Sequence, residues 1–590
     1  MALLDNTLGS LVPGVSHCRD LPERYNPRHG LAIYCLHMPG YSPSAPGVVL
    51  GEALTTRNGL GCTLVDGVPT KIPDGAVVVA QYNALKSIRP DLLKDIPELR
   101  EYGQYAIRLE RNALVASLSQ EGLAAAMQTL AMLLFRHNEE TLPGSLILDT
   151  PVCQFRCLAV EVETGEISDH LLMQMASFAA TFKANRLHII LDMAFDPGRE
   201  VSRLDNFIQT CRSYGMVVGV HLPWLASVAS GEMSLEQAWA GIQATAKIFG
   251  AGQAALDDPC PDNIDPDTAN RIVESMILGE SGVKNMAVDA RLLQKSGCAV
   301  SKITAAGVTG CYRMWDNDVP PSPELGDYPI RLDVQSPVPG FSNRPAADFY
   351  HRLDVATDWL REQPRRELIV SFRNIGVSHM WQNLLLPAAT GLAVAWGRPK
   401  TAAGGARSFA NLLYGDYGAA VESMWDSVSS AFPAGLAPAE ETLIRRIAFG
   451  HWPENERARE ILSRINWLEV NRNVRLAAES LKNVAASLSR NASILSGARL
   501  SLQALSWLYC FAALEPELSI RCKGKYDEDG RIAPIAKELY QNFKVWQASL
   551  QELISESGLK ISELRRIKEM GARLKELCEK ALDKFSLGNG

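Results

Sequence analysis

The 12 cysteines include no CxxC pair and no Cys/His cluster at ligand spacing; the nearest two, Cys153 and Cys157, are separated by three residues. A structural metal site is therefore not expected, and scattered, reduced, mostly buried thiols are. There is no basic excess either. With 59 Lys+Arg against 66 Asp+Glu, a net charge of −7, the chain lacks the charge to neutralise a phosphate backbone, which argues against nucleic acid as a partner. No apolar run reaches the roughly 18 residues of a membrane helix, Leu123–Phe135 being too short, so no membrane partner is expected. The start, MALLDNTLGS, lacks the charged and then apolar pattern of a signal peptide. The expected location is the cytoplasm, or outside it if a leader has been removed.

What is present is an ordinary globular balance, 47% hydrophobic and 21% charged over 590 residues, enough for three or four domains at roughly 150 residues each. Residues 1–150 read as a small α/β domain, with β-like runs at Gly75–Gln81, Tyr105–Leu109 and NALVASLS, and a helical run at Gly122–Arg136. Residues 151–432 alternate short β-like runs with helical stretches. The candidate strands are Phe155–Glu163, Arg186–Asp192, Met216–Leu222, Gln253–Asp258, Asn285–Asp289, Val300–Thr304, Cys311–Asp316 and, after a Pro-rich stretch, Glu367–Asn374. Eight strands in βα rhythm predict an α/β fold with a (β/α)8 TIM-type barrel. Residues 433–590 carry helical stripes, Val474, Ala477, Leu481, Val484, Leu488 and then Leu564, Ile567, Gly571, Leu574, Cys578, which predict a helical bundle. A charged loop at Arg521–Arg531 breaks it. The stripes are packing surface in the first instance, with oligomerisation through these helices as the minority alternative.

Barrel chemistry gathers at the C-terminal strand ends, because the interior is filled with side chains. The candidate strands end in Glu161 and Glu163, Asp192, His221, Asp257 and Asp258, Asp289, Asp316 and Asn374, though acidic residues also end strands because loops are solvated. Gly250-Ala-Gly252 superficially resembles a dinucleotide fingerprint, but it follows a helix and precedes a strand, the reverse of what that motif requires. Gly397–Thr401 lacks the glycine spacing of a phosphate loop. No nucleotide or other cofactor is expected.

Asp257 and Asp258 are the strongest chemical signal. Two close acids cannot both ionise easily, so one keeps a proton for general acid work. Glycosidic cleavage needs that acid together with a negative group near the developing oxocarbenium centre. Neighbours on a strand point to opposite faces, so both serve one pocket only if the strand end turns, as Pro259 permits. An adjacent pair suits the substrate-assisted variant, in which the substrate's 2-acetamido oxygen is the nucleophile. Capping of the following helix by Asp258 fits the sequence about as well.

Several stretches together resemble glycoside hydrolase family 84, the O-GlcNAcase and bacterial β-N-acetylhexosaminidase family. Gly122–Leu134 followed by Ile147–Ser168 resembles its junction between N-domain and first strand, and AALDDPCPDNID its Asp-Asp motif. The resemblance implies that Asp257 orients the acetamido group and that Asp258 is acid and then base. It further implies that Asn317 and Asp316, beside Trp315 in MWDND, and Asn374 in VSFRNIG bind sugar hydroxyls. PAATGLAVAWG, then NLLYGDYG, resembles the closing helix and the region after it, which puts Trp396 near the pocket. The chain departs from the family at three places. VETG, with Glu163 and Thr164, stands where the family has a Gly-Phe-Tyr-Gly turn; LDMAFDP, with Asp192, stands where it has a sugar-binding Lys; and no Tyr follows the fifth strand near Asp289-Ala-Arg291. A pocket so changed favours a substituted, cationic or differently configured amino sugar.

Outside that resemblance, His221 and Trp224 in VHLPW offer a hydrogen-bond donor and a stacking surface, with loop packing an equal reading. Arg373 could position hydroxyls or cap its strand, and His379 and Trp381 read mainly as core. The expected partner is an amino-sugar glycoside or glycoconjugate. The expected activity is substrate-assisted, retaining hydrolysis of a terminal N-acetylhexosaminide, with a catalytically altered carbohydrate-binding or protein-interaction barrel as the alternative.

Overall fold

The computed structural model describes residues 15–27, 31–36, 61–136, 141–162, 169–191, 197–221, 224–229, 231–248, 264–279, 286–298, 308–314, 330–335, 346–362, 366–372, 381–397, 401–430 and 467–488, with isolated positions elsewhere. The first sheet has seven strands: β1 (His17–Asp20), β2 (Leu31–Cys35), β3 (Cys62–Asp66), β4 (Val77–Gln81), β5 (Tyr105–Leu109), β6 (Ala113–Ser117) and β7 (Ser145–Asp149). Their order is β1-β7-β5-β6-β4-β2-β3. Strands β2, β3, β4 and β6 run parallel, whereas β5 and β1 pair antiparallel to their neighbours. Alternation along the strands gives the sheet two apolar faces. Val77, Val79, Ile107 and Val115 pack with Leu130 and Leu133 of the helix Gln120–Arg136, while Val78, Ala80, Leu114 and Ala116 pack with Tyr82 and Leu85 of the helix Tyr82–Ile88.

Helices α1 (Tyr82–Ile88) and α2 (Gln120–Arg136) belong to this layer. The expected strand at Tyr105–Leu109 and the long helix are present, with the helix beginning two residues before Gly122.

The second sheet is wholly parallel and also has seven described strands. They are β8 (Phe155–Val162), β9 (Arg186–Leu191), β10 (Val217–His221), β11 (Met286–Asp289), β12 (Val308–Met314), β13 (Ile330–Gln335) and β14 (Glu367–Phe372), in the order β10-β9-β8-β14-β13-β12-β11. The interleaved helices are α3 (Asp169–Thr181), α4 (Pro197–Ser213), α5 (Trp224–Ala229), α6 (Leu235–Ile248), α7 (Pro266–Ile277), α8 (Ala290–Ser296), α9 (Ala346–Arg361) and α10 (Trp381–Trp396). Then come α11 (Ala402–Tyr414), α12 (Gly418–Ser430) and α13 (Trp467–Ser487).

Strand β13 was not among the expected eight, because it lies inside the Pro-rich stretch that reads as a connection. The expected strands Gln253–Asp258 and Val300–Thr304 lie outside the described residues. The next described helix, α7, starts at Pro266, and its N-cap is Asp265, whose side chain accepts from the Thr268 amide at 2.9 Å; Asp258 lies outside the described residues.

Register gives the second sheet two unlike faces. Leu158, Leu187, Val218, Leu332 and Val370 share one, which meets the helices; a Cβ on Gly391 of α10 would come within 2.5 Å of Val370 Cγ2. Ala159, His188, Gly219, His221, Asp333, Ile369 and Ser371 fall on the other. In α13, Val474, Ala477, Leu481 and Val484 are buried as their spacing predicts, and α13 packs against α12. The second stripe, Leu564 to Cys578, and the Arg521–Arg531 loop lie outside the described residues. Among the described residues no helix is long and apolar enough to cross a membrane, and no group of acidic, His or Cys side chains is arranged to hold a metal.

Candidate functional site

The face turned away from the helices is where the second sheet departs from an apolar filling. Phe155, Cys157, Ala159, Ile190 and Ile369 form a small apolar cluster there. Among them sit His188, His221, Asp333 and Ser371, every one of them buried. Burying a polar group costs free energy unless it is hydrogen-bonded. The two histidines meet that requirement together, with His188 Nδ1 lying 2.7 Å from His221 Nε2.

That contact is built by the register. His188 pairs with Gly219, and His221, two residues further along β10, pairs with Ile190. His188 can lie across β10 only because residue 219 has no side chain; a Cβ there would be 2.5 Å from the imidazole. The Phe155 ring meets His188 edge-on, with centroids 5.8 Å apart. His188 thus reaches past Gly219 to the residue that ends β10. Sequence reading selected His221 by its place at a strand end but missed His188, which sits in mid-strand. The available signal was the glycine: a Gly in one interior strand beside a His in the next marks a ring lying across the gap.

Most expected site residues cannot be placed against this pair. Asp257, Asp258, Glu163, Asp192, Trp315, Asp316, Asn317 and Asn374 lie outside the described residues, as do Arg373 and His379. Glu161 is the penultimate residue of β8 and pairs with Ile190. Trp224 opens α5 and Trp381 opens α10. Asp289 ends β11 and is fully buried, but it serves α8: its carboxylate accepts from the Arg291 amide at 2.8 Å and pairs with the Arg291 guanidinium at 3.0 Å.

Trp396 requires a correction. It lies at the opposite end of the sheet, where the strands begin, and not near the pocket. It closes α10, its carbonyl accepts from the Val152 amide at 2.6 Å just before β8, and its indole donates to Asp149 Oδ2 at 2.7 Å. Fully buried in this way, it has no face left for a ligand. The reason is geometric: a helix that follows a parallel strand runs back towards the strand starts, so its last residue reaches that end.

Trp396 belongs to a buried polar junction between the two sheets. Asp149, the last residue of β7, accepts from the Ser16 amide and hydroxyl and the Thr150 amide on Oδ1, and from the Tyr105 hydroxyl and Trp396 on Oδ2. Lys183 Nζ reaches the same Oδ2 at 3.2 Å and lies 4.4 Å from the centroid of the Trp396 ring. Beside it the Arg156 guanidinium binds Glu121 Oε1 at 2.7 Å and packs over Trp396, and Asn185 donates to the same Glu121 oxygen. Burial pushes the Lys183 ammonium down to about 8, against the attraction of Asp149. Burial and the neighbouring Asp149 push the Tyr105 phenol well above its ordinary range. With every group satisfied and enclosed, this cluster is a joint.

No family model and no curated protein matches the chain. Solved structures do. One described as CpGH84D aligns over 91% of this chain and 93% of its own length, with a TM-score of 0.54 and 12% identity. Another, CpGH84B, aligns over 96% and 99%, with a TM-score of 0.51 and 13% identity. A β-N-acetylhexosaminidase from Bacteroides fragilis covers 66% of this chain and 92% of its own, at a TM-score of 0.47 and 12% identity. At these identities the likeness to the first two is one of fold.

Proposed function

We propose that the chain is a glycoside hydrolase that removes a terminal N-acetylhexosaminide by substrate-assisted, retaining cleavage at the C-terminal strand ends of a (β/α)8 barrel. The observation that carries this reading is the strand order. The two edges of the parallel sheet, β10 and β11, are consecutive strands in the described chain, and the sequence between them contains Gln253–Asp258. A strand from that segment would close the barrel and bring Asp257 and Asp258 to the rim where His221 ends β10. The near full-length fold likeness to two proteins whose names carry the GH84 designation supports the same reading.

In this reading Asp257 holds the acetamido N–H and raises the nucleophilicity of its oxygen. That oxygen attacks C1 as the bond from C1 to the glycosidic oxygen breaks and Asp258 gives its proton to the leaving oxygen. An oxazoline forms within the sugar. Asp258, now a carboxylate, takes a proton from water as water attacks C1 from the face the aglycone left and the bond from C1 to the oxazoline oxygen breaks, which restores the acetamido group and retains the anomeric configuration. Glu161, Glu163, Asp192, His221, Trp224, Trp315, Asp316, Asn317 and Asn374 are the proposed contacts to the sugar, and the amino-sugar glycoside is the partner.

Aryl N-acetylglucosaminides and N-acetylgalactosaminides test the reading. Asp257→Asn should lower kcat by at least about a hundredfold. Asp258→Asn should do so for poor leaving groups and much less for a dinitrophenyl group, which departs without a proton. A wild type that cleaves neither sugar would remove the hydrolase and leave the sugar-binding barrel, which saccharide titration then decides.

A further inference from the structure

We propose that a cavity at the β1 edge of the first sheet binds a zwitterionic amino acid with an apolar side chain. Its lining comes from β1, β7 and the loop between α1 and β5, so the proposal is independent of the hydrolase reading.

The cavity holds about 560 Å³, within the range of small-molecule sites. Register builds its floor. His17 pairs with Leu148 and Arg19 with Leu146, and because opposed and alternate residues of paired strands share a face, all four side chains stand on the same side of the sheet. The loop supplies Asp95, Ile96 and Pro97. It is anchored on both sides of Asp95: the Lys94 carbonyl accepts from Arg108 Nη1 at 2.9 Å, and Ile96 is buried in the same apolar layer as Leu146, with its amide donating to the Leu93 carbonyl at 3.0 Å. Asp95 itself takes φ 72°, a left-handed conformation that Asp tolerates better than most residues. His17, Arg19 and Asp95 are exposed, and among the described residues none of the three side chains makes a hydrogen bond or an ion pair. A cation on the strand and an anion on the loop thus line one cavity without neutralising each other. An amino acid carries a carboxylate and an ammonium on one carbon, so it can meet Arg19 and His17 with the first and Asp95 with the second. Its side chain then covers Leu146, Leu148, Ile96 and Pro97 and leaves water. A plain carboxylate would set an anion beside Asp95, and a plain amine would set a cation beside Arg19.

Calorimetric titration of the full chain with leucine and phenylalanine tests the site, and Arg19→Gln and Asp95→Asn localise it. Both variants change exposed side chains, and Asn accepts the left-handed backbone as Asp does, so their melting temperatures should match wild type. The wild type should bind both amino acids. Arg19→Gln should raise the Kd for leucine by at least about tenfold, the loss expected for a charge-assisted hydrogen bond, and Asp95→Asn should do the same. N-acetylleucine lacks the ammonium, leucinamide lacks the carboxylate and glycine lacks the side chain; each should bind at least about tenfold more weakly than leucine. A wild type that shows no saturable binding of leucine or phenylalanine at millimolar concentrations overturns the site. Leucine affinity unchanged in either variant overturns the charge pairing. N-acetylleucine or leucinamide binding as tightly as leucine overturns the zwitterion as ligand, and glycine binding as tightly overturns the role of the apolar floor.

Discussion

Lys183 Nζ lies 3.2 Å from Asp149 Oδ2 with both side chains fully buried, so a cation that closes α3 and an anion that ends β7 meet inside the protein. Lys183 takes φ 61°, the left-handed conformation usually given to glycine after a helix. The two partners are not equivalent. Asp149 gathers five other donors, whereas among the described residues the Lys183 ammonium donates, besides Asp149, to the Tyr105 hydroxyl at 3.0 Å. Asp149→Ala strands those donors and a buried cation together, and should cost about 3–5 kcal/mol. Lys183→Met leaves a carboxylate that is still well bonded and should cost about 1–2 kcal/mol. Urea unfolding of the two variants checks the order; equal losses would mean that the ion pair, and not the Asp149 network, dominates the joint.

The same lysine predicts a pH dependence. Its folded pKa of about 8 lies below the ordinary 10.5, so between those values the unfolded chain binds the proton more tightly than the folded one. Stability contributed by this group therefore rises with pH across that window, by at most about 1.4 kcal/mol per pH unit. Tyr105 acts in the opposite sense: its raised pKa means that stability is lost as pH climbs past 10. Unfolding free energies at pH 7.5 and 9.5 should show the wild type gaining on Lys183→Met over that interval. A flat or reversed difference would show that Lys183 keeps its proton throughout.

Much of the frame was legible because it is written in periodicity. Phe155–Val162, Arg186–Leu191 and Val217–His221 are short, largely apolar segments, each carrying two or more of Val, Ile and Leu, and the Val474–Val484 stripe repeats every three or four positions; both signals are local. Ile330–Gln335 was hidden because the residues around it, rich in proline, read as a connection. His188 escaped notice because its meaning lies in β10, 31 residues away at Gly219, and sequence order does not show which strands adjoin. Trp396 was misplaced for the same kind of reason. Its chain neighbours suggested a pocket, but its partners Asp149 and Lys183 come from two different sheets or their flanking helices.

Gly391 offers a test of how closely α10 seats on the second sheet. An added Cβ would lie 2.5 Å from Val370 Cγ2 and 2.9 Å from Cγ1, contacts that require one element to move. Gly391→Ala should cost about 1–3 kcal/mol through overpacking, despite the better helix propensity of alanine. Val370→Ala removes the obstructing methyls, so the double variant should recover part of that loss. Thermal unfolding of the single and double variants gives the coupling energy; strict additivity would show that the helix already has room.

Trp396→Phe separates a joint residue from a pocket residue. The substitution keeps an aromatic ring beside Arg156 and Lys183 but deletes the indole N–H that Asp149 accepts at 2.7 Å. One charge-assisted bond is lost in a site closed to water, at an expected cost of about 1.5–3 kcal/mol. Because the indole sits where the strands begin, affinity for N-acetylglucosamine or N-acetylgalactosamine measured well below the melting temperature should stay within about twofold of wild type. A fall in affinity at unchanged stability would return Trp396 to the sugar pocket. A fall in melting temperature with unchanged affinity fixes it as a strut between the two sheets.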